Sequence, residues 1–409
     1  MQQRLVLIVV GAVLASGAAL GLASLLDDPG TSVASGDSST TSSAASSAGG
    51  ARTGATSSTA PRRTTTTVPP TTRPDGPPAR SRTLSKFTTV AGDISPKSVV
   101  ASGRGPVTAQ NMMYRHTMTA YDGDGKLVAT VPDTVRLSDF GIDRPGTYKG
   151  APVEAAFMHK ADKVYISNYA MYGPGFVEGK DSCSPASGVT NSFLYRIDTG
   201  TWKIDQVVPV GATPKFVAVT PDDQRVLTSN WCTYDLSVSS TKDGKELRRI
   251  PLGPYPRGIA VSPDGKVAYV AVMGSTRIAR IDLDTYAVSW ISGVGLGPRH
   301  LVLSPDGRYL YATLNKEGSV VKIDTTTRQV VKRVRTGQQP RSMAISTDGT
   351  AVYVVNYESS TMSKLDTADL RQVQSVPTGH HPIGIAYDGA TGRVWVANYS
   401  GTIFVFDEK

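Results

Sequence analysis

Five cationic side chains recur at one position of a pattern that repeats along this chain. Pro214, Pro256, Pro298, Pro340 and Pro382 follow one another at intervals of 42 residues, and Pro96 and Pro152 open two earlier copies. The position after the proline holds, in chain order, Lys97, Val153, Lys215, Arg257, Arg299, Arg341 and Ile383. If the copies form a closed ring, the five cations gather and attract anions, because guanidinium groups bind carboxylate or phosphate in bidentate fashion. In the alternative, each cation pairs with backbone carbonyls or an Asp of a neighbouring copy and serves the fold.

Aromatic and amide groups follow the second apolar run of most copies. These segments supply further candidate ligand-binding residues, namely Asn111, Tyr114, Arg115, Tyr169, Trp231, Tyr357, Glu358 and Tyr399. Stacking surface combined with directional donors suits carbohydrates, peptides or small anions. A structural interpretation is also open, in which each Asn caps a turn and each aromatic ring packs between copies.

Histidine and cysteine could add a metal or a disulfide. His116, His300 and His381 are candidate metal ligands, but their spacing matches no compact ligand motif, so no cofactor is predicted beyond a possible metal ion. The two cysteines, Cys183 and Cys232, predict one disulfide rather than a metal cluster, which needs more sulfur ligands at short spacing. A pair of free thiols is the alternative.

The elements that position these residues are short strands. Each copy holds four runs rich in Val, Ile and Tyr separated by turn residues, and there are seven copies. The last copy stops at Lys409 after its third run, and residues 84–93 (LSKFTTVAGD) supply the missing fourth strand. The pattern predicts an all-β fold, a seven-bladed β-propeller closed by an N-terminal strand. An insertion between Met171 and Thr190 brings Cys183 to the same face as Cys232, so a disulfide would pin a flap (GPGFVEGKDSCSP) there.

The repeats resemble those of a known family. The sequences YISN from Tyr165, YVAV from Tyr269 and YVVN from Tyr353 are similar to the signature of YVTN/YncE-type β-propeller proteins, actinobacterial branch. The likeness covers residues 84–409 and implies a binding or scaffolding propeller. The signature Asn is replaced by Val272 and Leu314 in two copies, so a site that needs sevenfold identity is not implied.

The chain ahead of the repeats differs in composition. Residues 1–26 contain an uncharged apolar run long enough to cross a bilayer, which predicts a transmembrane signal-anchor or a signal peptide. Residues 27–83 are rich in Ser, Thr and Pro and predict a disordered linker. The propeller of residues 84–409 is therefore expected at the cell membrane, outside the cytoplasm, or secreted if the segment is cleaved. The net charge of +9 includes no basic run in the folded part, so no nucleic acid partner is expected.

Two classes of function follow from these residues. The first is a non-catalytic binding or scaffold module whose cationic, aromatic face holds a cell-envelope polymer, a protein or a small anionic ligand. A purely structural spacer without a ligand is a further hypothesis. The alternative is a propeller enzyme, either a lactonase-like hydrolase or a metal or quinone oxidoreductase subunit. No local catalytic motif decides between them. The enzyme hypothesis gains if a carboxylate such as Glu154 or Glu358 lies in the channel with a strongly raised pKa.

Overall fold

The computed structural model describes residues 76–170 and 182–409. The predicted membrane segment, most of the predicted linker and much of the predicted flap lie outside these residues. Within the described part of the chain, no helix has the length and apolar character needed to span a membrane.

The described residues form strands joined by short turns and a few single-turn 3-10 helices. The helices are Ala79–Ser81, Leu137–Phe140 and Pro185–Ser187. The first eleven strands are β1 (Leu84–Val90), β2 (Ser98–Ala101), β3 (Val107–Asn111), β4 (Thr117–Tyr121), β5 (Leu127–Pro132), β6 (Thr134–Arg136), β7 (Thr147–Lys149), β8 (Ala151–Phe157), β9 (Lys163–Tyr169), β10 (Asn191–Asp198) and β11 (Lys203–Ala212). The next eight are β12 (Pro214–Val219), β13 (Arg225–Asn230), β14 (Asp235–Ser240), β15 (Glu246–Pro251), β16 (Pro256–Val261), β17 (Val267–Val272), β18 (Arg277–Asp282) and β19 (Val288–Ile291). The last eleven are β20 (Pro298–Leu303), β21 (Tyr309–Leu314), β22 (Ser319–Asp324), β23 (Gln329–Arg335), β24 (Pro340–Ile345), β25 (Ala351–Asn356), β26 (Thr361–Asp366), β27 (Gln372–Pro377), β28 (Pro382–Asp388), β29 (Arg393–Asn398) and β30 (Thr402–Glu408).

Seven four-stranded antiparallel sheets form the blades, which confirms the predicted all-β seven-bladed propeller. Blades 1 to 6 are β2–β5, β8–β11, β12–β15, β16–β19, β20–β23 and β24–β27. Blade 7 has the order β1-β30-β29-β28, so the N-terminal strand supplies its outer strand as the sequence predicts. Leu84 lies opposite Glu408 and Val90 opposite Ile403 in this pairing. The ring therefore closes through hydrogen bonds between the two ends of the propeller.

Apolar side chains between neighbouring blades form the core. Leu227 and Leu236 of blade 3, for example, are fully buried in one cluster with Val270 and Ile281 of blade 4. A single blade has two apolar faces and cannot bury both of them alone, and packing each blade between two others covers both. The strand that begins each repeat lies innermost, and its first residues lie at one end of the central channel, which we call the top face.

The first copy carries an insertion, as the sequence predicts, because Pro96 and Pro152 lie 56 residues apart where later copies are spaced by 42. Its structure was not predicted. Strands β6 and β7 pair as a hairpin around the short helix Leu137–Phe140. Val135 and Leu137 are buried against Phe193 and Tyr195 of blade 2.

A buried ionic cluster joins blade 6 to the ring closure. The side chains of Lys364 and Glu408 are both fully buried, with Nζ and Oε1 2.7 Å apart. Lys364 also donates a hydrogen bond to the carbonyl of Arg82 at 2.6 Å, and the hydroxyl of Tyr353 donates to Glu408. Ala79 is fully buried and its N–H donates to Asp348 at 2.9 Å, so the packed chain begins ahead of Leu84.

Candidate functional site

The five predicted cations lie together at the top of the central channel, and we call them the cation ring. Lys97 precedes β2, and Lys215, Arg257, Arg299 and Arg341 are each the second residue of an innermost strand. Val153 and Ile383 fill the other two of the seven positions and are buried. Residues that occupy the same position in successive repeats are therefore arranged around the axis of the propeller.

The charges of the cation ring act on one another. Burial, followed by the positive charges of Arg257, Arg299, Arg341 and Lys215, holds the pKa of Lys97 well below its usual value. Burial and the neighbouring Arg257 and Arg341 likewise lower the pKa of Arg299. Each cation therefore disfavours the charged form of the others, and an anion among them relieves that repulsion.

Aromatic rings contact three members of the cation ring. The Lys215 ammonium lies 4.7 Å from the ring centre of Tyr169 and 4.8 Å from that of Trp231. The Arg257 guanidinium lies 5.7 Å from the ring centre of Trp231. These cation–π contacts fix the cations without neutralising them.

A stack of side chains connects the cation ring to the top surface at blades 6 and 7. The Arg341 guanidinium lies 3.4 Å from the ring centre of Tyr357, and Tyr357 stacks on His381 with ring centres 4.2 Å apart. The His381 Nε2 atom lies 3.4 Å from the Glu358 carboxylate. Tyr399 packs edge-on against Tyr357 and is 38% exposed. The structure thus places a histidine and an exposed aromatic ring close to one member of the cation ring.

A small cavity lies in the central channel, next to the cation ring, and is lined by residues that follow the cation-ring positions on the inner strands. Its volume is about 230 Å³, and its polar lining is Ser98, Glu154, His300 and Ser342. Burial raises the pKa of Glu154 to about 7, although Ser98 and the charges of Arg257 and Lys97 favour its ionised form. Burial lowers the pKa of His300 to about 3, with the charges of Arg299 and Arg257 adding to the effect. Glu154 thus meets the condition that favours an enzyme.

The orientation of His300 is set by its neighbours. Its backbone N–H donates to Thr313 at 3.0 Å, its ring packs edge-on against Phe216, and its Nδ1 accepts the N–H of Met343 at 3.4 Å. With Nδ1 as acceptor, the proton of the neutral imidazole resides on Nε2. His300 is therefore a neutral hydrogen-bond donor in the channel.

The asparagines that end the second strands are buried in turns. Asn111 donates to Thr117 and Thr119 and accepts the N–H of Ser95. Asn356 donates likewise to Thr361 and Ser363. A Cβ atom on Gly337 would lie 2.6 Å from the side chain of Asn356, and the same close approach recurs at Gly150, Gly211 and Gly379. This contact explains why glycine recurs in the turns that lead to the innermost strands.

Two other candidate residues lie apart from the cation ring. Tyr114 is 86% exposed, and the Arg115 guanidinium pairs with Asp93 at 2.6 Å. Both residues line a separate surface cavity of about 550 Å³ beside β1.

The three candidate metal-binding histidines occupy different surroundings. The Nδ1 atom of His116 faces Asp133 at 3.7 Å, His381 faces Glu358, and His300 lies in the channel. Within residues 76–170 and 182–409, no group of three or more His, Cys, Asp or Glu side chains is arranged to hold a metal ion.

Cys183 and Cys232 form the predicted disulfide. Their Cα atoms lie 5.3 Å apart across 49 positions of sequence. The hydroxyl of Tyr234 donates to the carbonyl of Cys183 at 2.7 Å, and Cys232 is buried beside Trp231. The bond therefore ties the end of the blade 2 insertion to the aromatic side of the cation ring.

Removal of this disulfide is expected to lower the free energy of unfolding by about 2–4 kcal/mol, since the bond closes a long loop in the unfolded chain. The measurement is urea unfolding of the Cys183→Ser/Cys232→Ser double variant against the oxidised protein. Reductant should destabilise the wild type by the same amount and leave the double variant unchanged. A loss below about 1 kcal/mol would contradict the expectation.

Comparisons with known proteins find partial similarity to a heme domain and to a hydrazine synthase subunit. Residues 262–398, about a third of the chain, match the family model described as Cytochrome D1 heme domain. The chain is 31% identical over 162 residues to hydrazine synthase subunit beta of Kuenenia stuttgartiensis, an alignment that covers 32% of this chain and 41% of that subunit. A solved structure of Kuenenia stuttgartiensis hydrazine synthase superposes with a TM-score of 0.61 at 18% identity, covering 77% of this chain and 96% of that one. At that identity the superposition supports the propeller fold alone.

These matches correct two predictions made from the sequence. The prediction of a non-catalytic binding or scaffold module is wrong, and so is the prediction of no cofactor, because the similar proteins are a heme domain and an enzyme subunit. The matches favour the alternative of an oxidoreductase subunit. No local sequence motif indicated heme binding, because the candidate ligand-binding residues come from separate blades.

Proposed function

We propose that this chain is the propeller subunit of a redox enzyme and binds a heme-type group on its top face. The observation that carries the proposal is the cation ring, which presents five positive side chains beside the only carboxylate that lines the adjoining cavity among the described residues. Heme has carboxylate side chains that need cationic partners. The similarity to a cytochrome D1 heme domain and to hydrazine synthase subunit beta supports the same class.

The residues of the top face fit the parts of such a group. The cation ring would hold the carboxylates, and the exposed ring of Tyr399 would pack on the macrocycle. His381 would be the residue that binds the iron, because its Nε2 faces Glu358 and its Nδ1 is the other nitrogen able to bind a metal. A ligating histidine usually binds a carboxylate or carbonyl through its other nitrogen, which orients the imidazole.

The channel interior does not fit a heme. Its cavity of about 230 Å³ is smaller than the roughly 300–1,000 Å³ typical of sites for drug-sized ligands and cofactors. His300 carries its proton on Nε2, so that atom has no lone pair for a metal. The candidate heme residues are therefore those of the top face.

When bound, the heme supplies one-electron chemistry, and the protein supplies binding and electrostatics. The cation ring neutralises the carboxylates and makes the local potential positive, and Glu358 orients His381. The buried neighbours of the cation ring exclude water from these contacts.

The test is a titration of the full chain with hemin, followed by absorption spectroscopy. We expect saturable binding of one hemin per chain, and His381→Ala should shift the absorption bands because the axial ligand changes. His159→Ala is the matched control, since His159 pairs with Asp223 at 2.9 Å in a turn on the opposite face. Binding that does not saturate, or bands that respond equally to both substitutions, would contradict the proposal.

We also propose that the propeller is of the YVTN/YncE type and works outside the cytoplasm, tethered by residues 1–26. The signature sequences around Tyr165 and Tyr353 and the disulfide support this proposal, because disulfides persist in oxidising compartments. Fractionation of cells that express the full chain tests the location, with membrane-bound, protease-accessible protein expected and cytoplasmic protein contradicting it.

A further inference from the structure

The channel next to the cation ring has its own binding chemistry. Ser98, Glu154, His300 and Ser342 line the cavity. Ser98, His300 and Ser342 each follow a member of the cation ring directly in sequence, and Glu154 follows Val153, which fills the same repeat position in blade 2. The remaining lining is largely apolar, including Phe216 and the alanines of the inner strands. A cavity of about 230 Å³ with a few polar groups suits one small molecule.

Arg299 has no acceptor for its charge among the described residues. Its side chain belongs to a residue that is 4% exposed, and among residues 76–170 and 182–409 no hydrogen-bond or ion-pair acceptor lies against its guanidinium. The ammonium group of Lys97, a partly exposed residue, has no such acceptor in the described residues either. A buried charge is costly unless it is paired, so Arg299 favours a bound anion.

Glu154 is the acidic group of the cavity lining that interacts electrostatically with these cations. Its carboxylate feels the charges of Arg257 and Lys97, and its own charge acts on Arg299. The charged and titratable groups that face it from the surrounding inner strands are Lys97, Lys215, Arg257, Arg299, Arg341, His300 and Tyr387. An anion and an ionised Glu154 therefore compete for the same cations.

We propose that the channel binds one small oxyanion at the cation ring and takes up one proton from solvent on the Glu154 carboxylate in the same step. The anion keeps its charge and its bonds, and the O–H bond that forms on Glu154 replaces one that breaks in a hydronium ion of the solvent. His300 contributes a neutral Nε2–H donor. The carboxylates of a heme on the top face would use the same cations, so the oxyanion site is tested on heme-free protein.

The direction of the pH dependence follows from linkage. In the free protein the pKa of Glu154 is about 7. A bound anion adds negative charge nearby and raises that pKa further. Affinity should be constant below about pH 7 and should weaken by up to about tenfold per pH unit above it, until the pKa of the complex is passed.

The test is isothermal titration calorimetry of the full chain with sulfate, which stays ionised throughout, at about pH 6 and about pH 8.5. The wild type should bind about tenfold or more weakly at the higher pH, and buffers of different ionisation enthalpy should report uptake of a proton. Glu154→Gln should bind with the same affinity at both pH values and more tightly than the wild type at the higher one.

A second variant distinguishes the titration of Glu154 from that of Lys97 as the cause of the pH dependence. Burial also lowers the pKa of Lys97. Lys97→Arg keeps the charge and should retain the pH dependence. If Lys97→Arg removes it and Glu154→Gln does not, the assignment to Glu154 is overturned. No sulfate binding at either pH overturns the anion site itself, and Glu154→Ala, which likewise cannot titrate, replaces Glu154→Gln if the latter does not fold.

Discussion

Replacement of Arg257, Arg299 and Arg341 together by Gln is expected to weaken sulfate binding by at least about 100-fold, with the propeller still folded. A hydrogen bond to a charged group contributes about 1.5–3 kcal/mol, so the loss of two such bonds already accounts for this factor. Gln keeps the apolar stem and a donor but removes the charge. Because the cations lower one another's pKa, the variant should unfold at the same or a higher temperature than the wild type.

A matched control removes three arginines outside the channel. Arg248, Arg328 and Arg371 are exposed on the outer parts of the blades, and their replacement by Gln changes the net charge equally. This control should bind sulfate within about twofold of the wild type at moderate salt, where distant exposed charges are screened. Unfolding of the ring variant would show that the arginines serve the blades, which is the alternative that the sequence left open.

Replacement of Lys364 by Met is expected to lower the free energy of unfolding by about 3–5 kcal/mol, because it leaves the Glu408 carboxylate buried without its main partner. Lys364 and Glu408 are fully buried, and Arg82 Nη1 is 3.9 Å from the other carboxylate oxygen. Burial lowers the pKa of Lys364 while Glu408 opposes that shift, so the ammonium depends on this one carboxylate. Since the pair lies at the closure of blade 7, its loss should act on the whole ring.

Urea unfolding measures this effect. The Lys364→Met/Glu408→Leu double variant should be less destabilised than either single variant, because it leaves neither the Lys364 ammonium nor the Glu408 carboxylate buried without its partner. Arg371→Met, which breaks an exposed contact with Asp369, is the control and should cost less than about 1 kcal/mol. A similarly small effect of Lys364→Met would contradict a role of the pair in closure.

The fold could be predicted from the sequence because each blade repeats the same order of strands and turns. The 42-residue spacing from Pro214 to Pro382 fixes the blade length, and the missing strand after Lys409 is supplied by residues 84–90. The 56-residue spacing from Pro96 to Pro152 indicates an insertion, but its hairpin β6–β7 could not be predicted, since this structure occurs once and packs on blade 2. Periodicity locates an insertion but does not give its structure.

The candidate site was predictable in part for the same reason. The cation ring follows from one repeated position, and closure of the propeller gathers its members. Glu154 differs from its counterparts Ser98, Phe216, His300 and Ser342, and this single acidic residue among inner-strand positions is a sequence signal. Its burial and raised pKa depend on the whole ring of blades, so only the structure could establish them.

The proposed redox class could not be derived from local patterns. A heme needs cationic partners, a flat packing surface and a ligand, and the residues proposed for these roles come from several blades rather than from one motif. His381 reaches Arg341 only through Tyr357, which belongs to the preceding blade. The proposal of a heme rests on the similarity to a heme domain, because the spacing of the residues in the sequence did not indicate one.

The central claim is that the cation ring is an anion-binding site, and anomalous diffraction from crystals soaked in selenate tests it most directly. The account predicts one strong anomalous peak at the top of the channel, within hydrogen-bonding distance of Arg299 and Lys97, that disappears in the variant lacking the three arginines. Selenate bound only elsewhere, with no peak at the cation ring, would contradict it.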